Sequence, residues 1–255
     1  MKNIKIRITL TEEALGMTPS NPEDYEKFLQ LRKLKLGKRA AELEGKFQAE
    51  LEQMKLLIEK NKTESLESGT SVFFRNADGD PVFRDFQIRG AFKDWMRGLK
   101  DVLSKEDVAK KLAGKYITSV IGFKKLPAPW VDRGVFVGPK DILIKLPEGG
   151  EMSMCKRIIR KENQKAPGTF STNFKISESV PAGSQFSFNL GILNDADENL
   201  CLACLHYGFV RGVGEWRNGA KGTFTFELYD ESKKEWVYQE PELAEILGLD
   251  SEIPE

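Results

Sequence analysis

The chain has 255 residues, enough for one large domain or two small ones, and its 40% hydrophobic and 31% charged content supports a real core rather than general disorder. With 39 basic and 39 acidic side chains the formal charge is zero, which excludes a global field driving the protein onto nucleic acid; any anion-binding surface must be local. No apolar run approaches a membrane span, the start MKNIKIRITLTEE lacks a signal-peptide core, and Cys155, Cys201 and Cys204 make no disulfide framework, so a cytoplasmic protein without membrane association is expected.

Lys2–Leu10 alternates, with Ile4, Ile6, Ile8 and Leu10 on one face and Lys5, Arg7 and Thr9 on the other, as in a half-buried strand. Asn21-Pro22-Glu23-Asp24 then reads as a helix start. Leu36, Ala40, Leu43, Phe47, Leu51, Met54 and Ile58 follow at steps of three and four, which predicts an inserted helical arm over about 22–62. Asn76–Asp80 is rich in Asn, Asp and Gly and predicts a hairpin turn. Asp85–Val102 is an amphipathic helix with Ile88, Phe92, Trp95, Met96 and Leu99 on one side, trailed by a short helix at 105–112. From 115 to 193 the runs are strand-like, including WVDRGVFV, and form a β-rich projection over about 115–178. Asp195–Tyr207 is the last helix and Gly222–Tyr229 the final core strand.

Without the insertions the order is βαββαβ. The expected fold is therefore α+β, with a ferredoxin-like core in which two helices cover one face of an antiparallel sheet and the other face stays available to a ligand. One domain over 1–229 is expected, followed at 230–255 by an acidic tail in which Glu240, Glu242, Glu245, Asp250, Glu252 and Glu255 stand without a basic residue after position 240.

The segment joining the last helix to the last strand is Arg211-Gly212-Val213-Gly214-Glu215-Trp216-Arg217-Asn218-Gly219-Ala220-Lys221-Gly222. Its glycines permit positive φ and close approach of backbone N–H groups to an anion. Arg211, Arg217 and Lys221 supply charge and Trp216 a stacking surface. A connector whose glycines merely turn the chain is equally compatible with these residues. Arg89, Lys93 and Arg97 recur every four residues along one helix side, with Gly90 at its start, and Arg157 and Arg160 end a strand beside interleaved Phe170 and Phe174. Solvated charged faces are the plain alternative for each.

Gly212-Val213-Gly214, followed after EWRNG by Ala220-Lys221-Gly222, resembles the paired Gly-hydrophobic-Gly loop of the RAMP superfamily, the RNA-binding subunits and processing nucleases of CRISPR systems. Ala and Lys replace a glycine and the hydrophobe in the second half. Ile4–Leu10, the segment FQIRGAFKD from Phe86 and the segment VPAGSQFSF from Val180 resemble that superfamily's first strand, first core helix start and last strand entry. The chain also resembles proteins of tailed phages and prophages. The resemblance implies an RRM-like fold and a non-catalytic protein that binds single-stranded RNA without a cofactor. It implies contacts at Arg89, Gly90, Lys93, Arg97, Arg157, Arg160, Arg211, Gly212, Gly214, Trp216, Arg217, Lys221 and Gly222. It further implies self-assembly along RNA or counter-defence against a host immune complex.

Two alternatives remain in the sequence. An endoribonuclease would depend on His206, the single histidine. A protein-interaction module would keep the fold without the RNA. Cys201, Cys204 and His206 superficially suggest a metal site, but the cysteines fall on the apolar face of a helix, so core residues and no metal are expected.

Overall fold

The computed structural model describes residues 1–20, 70–102, 130–162 and 170–240, with scattered positions from 23 to 52. Most of the expected helical arm, the helix at 105–112, the run 115–129 and the acidic tail beyond 240 lie outside the described residues. The chain forms two compact units, one from Met1–Ala14, Asn76–Glu151 and Val180–Glu255, the other from Leu15–Arg75 and Met152–Ser179.

The first unit is built on a sheet whose central strands are β1 (Lys2–Leu10), β11 (Gln185–Ile192) and β12 (Phe224–Asp230). β1 lies between the other two, antiparallel to both, with Ile6 opposite Phe188 on one side and Leu228 on the other. Beyond β11 come β7 (Val135–Gly138) and β8 (Asp141–Lys145), then β6 (Pro81–Arg84); β13 (Glu235–Tyr238) extends the opposite edge. The last core strand thus sits beside the first and the third beside both the first and the second. That is the order a βαββαβ chain takes in a ferredoxin-like arrangement.

Alternation decides which face is dry. Ile6, Ile8, Leu10, Phe186, Phe188, Leu190, Phe224 and Phe226 are buried under two helices. These are α1 (Asp85–Val102) and α3 (Glu198–Arg211). Gln87, at the third position of α1, accepts a hydrogen bond from the Arg84 N–H at 2.9 Å, half of a capping box. Ile88, Phe92, Trp95, Met96 and Leu99 are buried as the periodicity requires, each contributing roughly 1.5–3 kcal/mol for an aliphatic or aromatic side chain removed from water. The helices approach closely through glycines. A Cβ on Gly208 would meet the Trp95 indole at 2.7 Å, and one on Gly98 would meet the Tyr207 hydroxyl at 2.3 Å.

One local expectation fails. WVDRGVFV is not a single strand: Trp130–Gly134 is the short helix α2, and only Val135–Gly138 is extended. Tertiary contacts override β propensity here. The Trp130 indole N–H donates to Asp197 at 3.1 Å, and Val131 is fully buried. The turn at 76–80 forms as read, with the Asn76 side-chain oxygen accepting the N–H groups of Asp78 and Asp80.

In the second unit β10 (Phe170–Val180) runs between the short strands β2 (Ala14–Leu15) and β4 (Ser71–Val72), with β3 (Thr18–Pro19) beyond, and also pairs with β9 (Ser153–Glu162). β9 pairs with β10 and β3 with β4 antiparallel, whereas β4 and β10 pair parallel, with Ser71 and Ser177 facing each other and sharing a hydrogen bond of 2.9 Å. Glu178 anchors this sheet, accepting from the Phe73 N–H at 2.9 Å and pairing with Arg75.

Candidate nucleic-acid interface

The glycine loop after α3 is held by α1. Because Trp95 lies over Gly208, its indole N–H reaches the Gly212 carbonyl at 2.9 Å. The neighbouring residue, Asp94, accepts from the Arg211 guanidinium at 3.0 Å and lies 3.5 Å from that of Arg217. Burial pulls the Arg217 guanidinium below its usual value, against the opposing charge of Asp94. Lys221 pairs with Glu13 at 2.8 Å and stands 3.8 Å from Glu12. The three loop cations the sequence singled out are therefore engaged with carboxylates of the same unit.

The loop's glycines also have structural work. The Val213 N–H donates to the Gly222 carbonyl, and the Gly222 N–H to the Glu13 carbonyl, both at 2.8 Å. Gly212 and Gly222 have φ of +80 and +71, and a Cβ on Gly222 would stand 1.9 Å from the Val213 oxygen. Only glycine fits where the two arms of the loop cross. Trp216 and Ala220 take left-handed backbone with φ of 58 and 59, although neither is glycine. The Trp216 ring is 44% exposed and packs over Gly219.

Along α1, Arg97 is exposed and Lys93 half-buried, while Arg89 is half-buried and 3.5 Å from Asp85. Gly90 is exposed, with open space where a Cβ would sit. This row stands on the helix that carries Asp94, so the structure joins the α1 candidates to the loop. Arg157 and Arg160 belong to the second unit instead. Arg157 is buried, 3.3 Å from the Ser177 hydroxyl, rather than turned outward, and Arg160 is placed on β9 opposite Thr172. On the same hairpin, opposed Ile158 and Phe174 are each 63% exposed, with the Lys156 ammonium 5.0 Å from the Phe174 ring centre.

His206 is buried and edges onto the Phe226 ring at 5.0 Å, so it lies in the core beneath the sheet. Burial pushes the Cys201 thiol up to about 12 and Cys204 well above its ordinary value, as for core thiols. Among the described residues no group of three or more His, Cys, Asp or Glu side chains is arranged to hold a metal.

The sequence predicts a sheet face left available to a ligand, but the residues singled out from it lie elsewhere, and none of those on the helix-free face of the first sheet is among them. The side chains opposite the core there are Asn3, Lys5 and Arg7 on β1, Gln185, Ser187 and Asn189 on β11, and Glu227 and Tyr229 on β12, flanked by Phe136, Leu143, Trp236 and Tyr238. Among the described residues no helix covers them. Arg7 forks onto Glu227 at 2.5 and 2.7 Å while its guanidinium carbon lies 4.6 Å from the Trp236 ring centre; Lys5 stands 4.7 Å from that of Tyr229. The signal was present, since Lys5, Arg7 and Thr9 alternate with the buried isoleucines. Which strands would lie beside β1 was not legible.

Comparison with known proteins adds one finding. No family model and no curated protein matches the chain. Its fold is similar to a solved chain from the Type III-B Cmr-beta complex bound to cognate target RNA, at 12% identity and a TM-score of 0.47. The match covers 89% of this chain and 61% of that one, so this chain spans less than two thirds of its length. No helix among the described residues is long and apolar enough to cross a membrane.

Proposed function

We propose that this protein is a non-catalytic, RAMP-like binder of single-stranded RNA. The observation that carries the reading is the helix-free sheet face, where Lys5 and Arg7 stand among Tyr229, Trp236, Phe136 and the amides of Asn3, Gln185 and Asn189. Unpaired bases present π-faces to such rings and hydrogen-bonding edges to such amides, while the cations meet phosphates. Arg89, Gly90, Lys93 and Arg97 on α1 and the loop residues Arg211, Gly212, Gly214, Trp216, Arg217, Lys221 and Gly222 form a second basic edge of the same unit in this reading. A phosphate reaches the loop cations by exchanging with Asp94 or Glu13. Self-assembly along RNA or action against a host CRISPR-type complex is the wider setting that the motif resemblance suggests.

The test is fluorescence anisotropy of labelled single-stranded and double-stranded RNA at low salt, with Lys5→Gln and Arg7→Gln variants beside the parent. The single strand binds more tightly and both variants weaken it; absence of binding at low salt ends the proposal. Co-purification of nucleic acid or of a host protein under native conditions separates RNA binding from a pure protein-interaction role.

A further inference from the structure

At one end of the helix-free face the sheet is hollowed. Gly191 on β11 pairs with Asn3 on β1 and Phe136 on β7, so a glycine separates an amide from an aromatic ring. In the next row Asn189 pairs with Lys5 and Gly138, so an amide is flanked by a cation and a second glycine. A Cβ on Gly191 would come within 3.3 Å of the Asn3 side-chain oxygen and 3.5 Å of the Phe136 Cβ. The two missing side chains leave an open depression of about 390 Å³ lined by Asn3, Phe136, Val137, Gly138, Asn189 and Gly191, with Met1 at its rim. That volume is within the roughly 300–1,000 Å³ of small-ligand sites.

We propose that this depression receives one unpaired base of a bound single strand. Phe136 is 46% exposed, so its ring offers a stacking face. Asn3 and Asn189 are exposed, and their amides supply both donors and acceptors. Among the described residues neither side-chain amide is engaged in a hydrogen bond. The lining has no charged side chain, and the Met1 ammonium is paired with Asp195 at 3.6 Å, which disfavours a carboxylate or free phosphate as the occupant and suits a neutral planar group with a polar edge. Lys5, directly across from Asn189, stands where the strand's backbone would leave the depression. Its pairing with Glu231 at 2.8 Å is exposed on both sides and readily exchanged.

This inference rests on the RNA-binding reading, and the experiment separates the two. Affinity is measured for an oligoadenylate and for an abasic oligomer of equal length, using the parent, Phe136→Ala, Phe136→Tyr and Asn189→Ala. Phe136→Ala weakens the base-bearing strand roughly ten- to a hundredfold, the scale of one lost base–aromatic stack. Phe136→Tyr restores it, Asn189→Ala weakens it less, and the abasic oligomer binds parent and variants alike. If the parent binds RNA and Phe136→Ala binds it equally well, the base site is overturned and RNA binding stands. Equal loss of base-bearing and abasic strands also overturns the site, since it shows a change in the sheet rather than in a base contact. A parent that binds neither strand refutes the RNA-binding reading itself.

Discussion

Replacing Gly222 by alanine probes the central packing of the glycine loop. Its φ is +71, and forcing an L-residue there costs about 1–2 kcal/mol. The new Cβ would stand 1.9 Å from the Val213 oxygen and 2.9 Å from its carbonyl carbon, both backbone atoms that cannot swing aside. Relief of that overlap separates the two arms and sacrifices the Val213-to-Gly222 hydrogen bond, worth roughly 0.5–1.5 kcal/mol. The Gly222 N–H to Glu13 bond is strained with it. Together the first two effects amount to about 1.5–3.5 kcal/mol. Trp95, Trp130, Trp216 and Trp236 all lie in the first unit, so tryptophan fluorescence in guanidinium titrations reads this unit. Gly90→Ala is the control: its Cβ meets open space in the interior of α1, and the variant should gain about 1 kcal/mol from helix propensity. A loss below about 1 kcal/mol for Gly222→Ala, within the range of ordinary substitutions, would refute the crossing-arm account.

Asp94→Asn should cost roughly 1 kcal/mol in stability and raise RNA affinity at low salt by releasing Arg211 and Arg217; unchanged affinity in anisotropy assigns those arginines to structure alone. In the second unit burial holds the Glu178 carboxyl above the ordinary glutamate value, against the opposing effects of Arg75 and the Phe73 N–H. The folded state then binds this proton more readily than the unfolded state does. Its contribution to stability therefore falls as pH rises from the ordinary glutamate value through the raised one. Glu178→Gln should flatten that slope in hydrogen-exchange measurements on β10, and an unaltered slope would contradict it. A thiol reagent at mildly alkaline pH should modify half-buried Cys155 first, with Cys201 and Cys204 reacting only as fast as the first unit opens. His206→Ala should destabilise the core without changing RNA integrity in cleavage assays.

Much of the first unit was legible because its signals are local. The β1 alternation and the 88–92–95–99 periodicity each report a buried face without knowledge of the partner. The helix at Trp130–Gly134 was not legible, since its bond from Trp130 to Asp197 joins residues far apart in sequence. The same limit governed the candidate site. The loop's glycines and cations could be read, but Asp94 and Glu13, the partners that neutralise them, come from α1 and from the turn after β1. Arg157 looked solvent-facing because strand alternation tells which residues share a face, and only the pairing with β10 shows that its face is the inner one. Phe136, Asn3 and Asn189 come together only when β7, β1 and β11 are laid side by side.

The most direct test of the account is the salt dependence of single-stranded RNA binding, compared between the parent and Lys5→Gln/Arg7→Gln. The account predicts a linear fall of log affinity with log salt in the parent, and a slope shallower by about 0.7 for each phosphate contact removed in the variant. Identical slopes, or no binding at the lowest salt, would contradict a nucleic-acid interface on the helix-free face of this sheet.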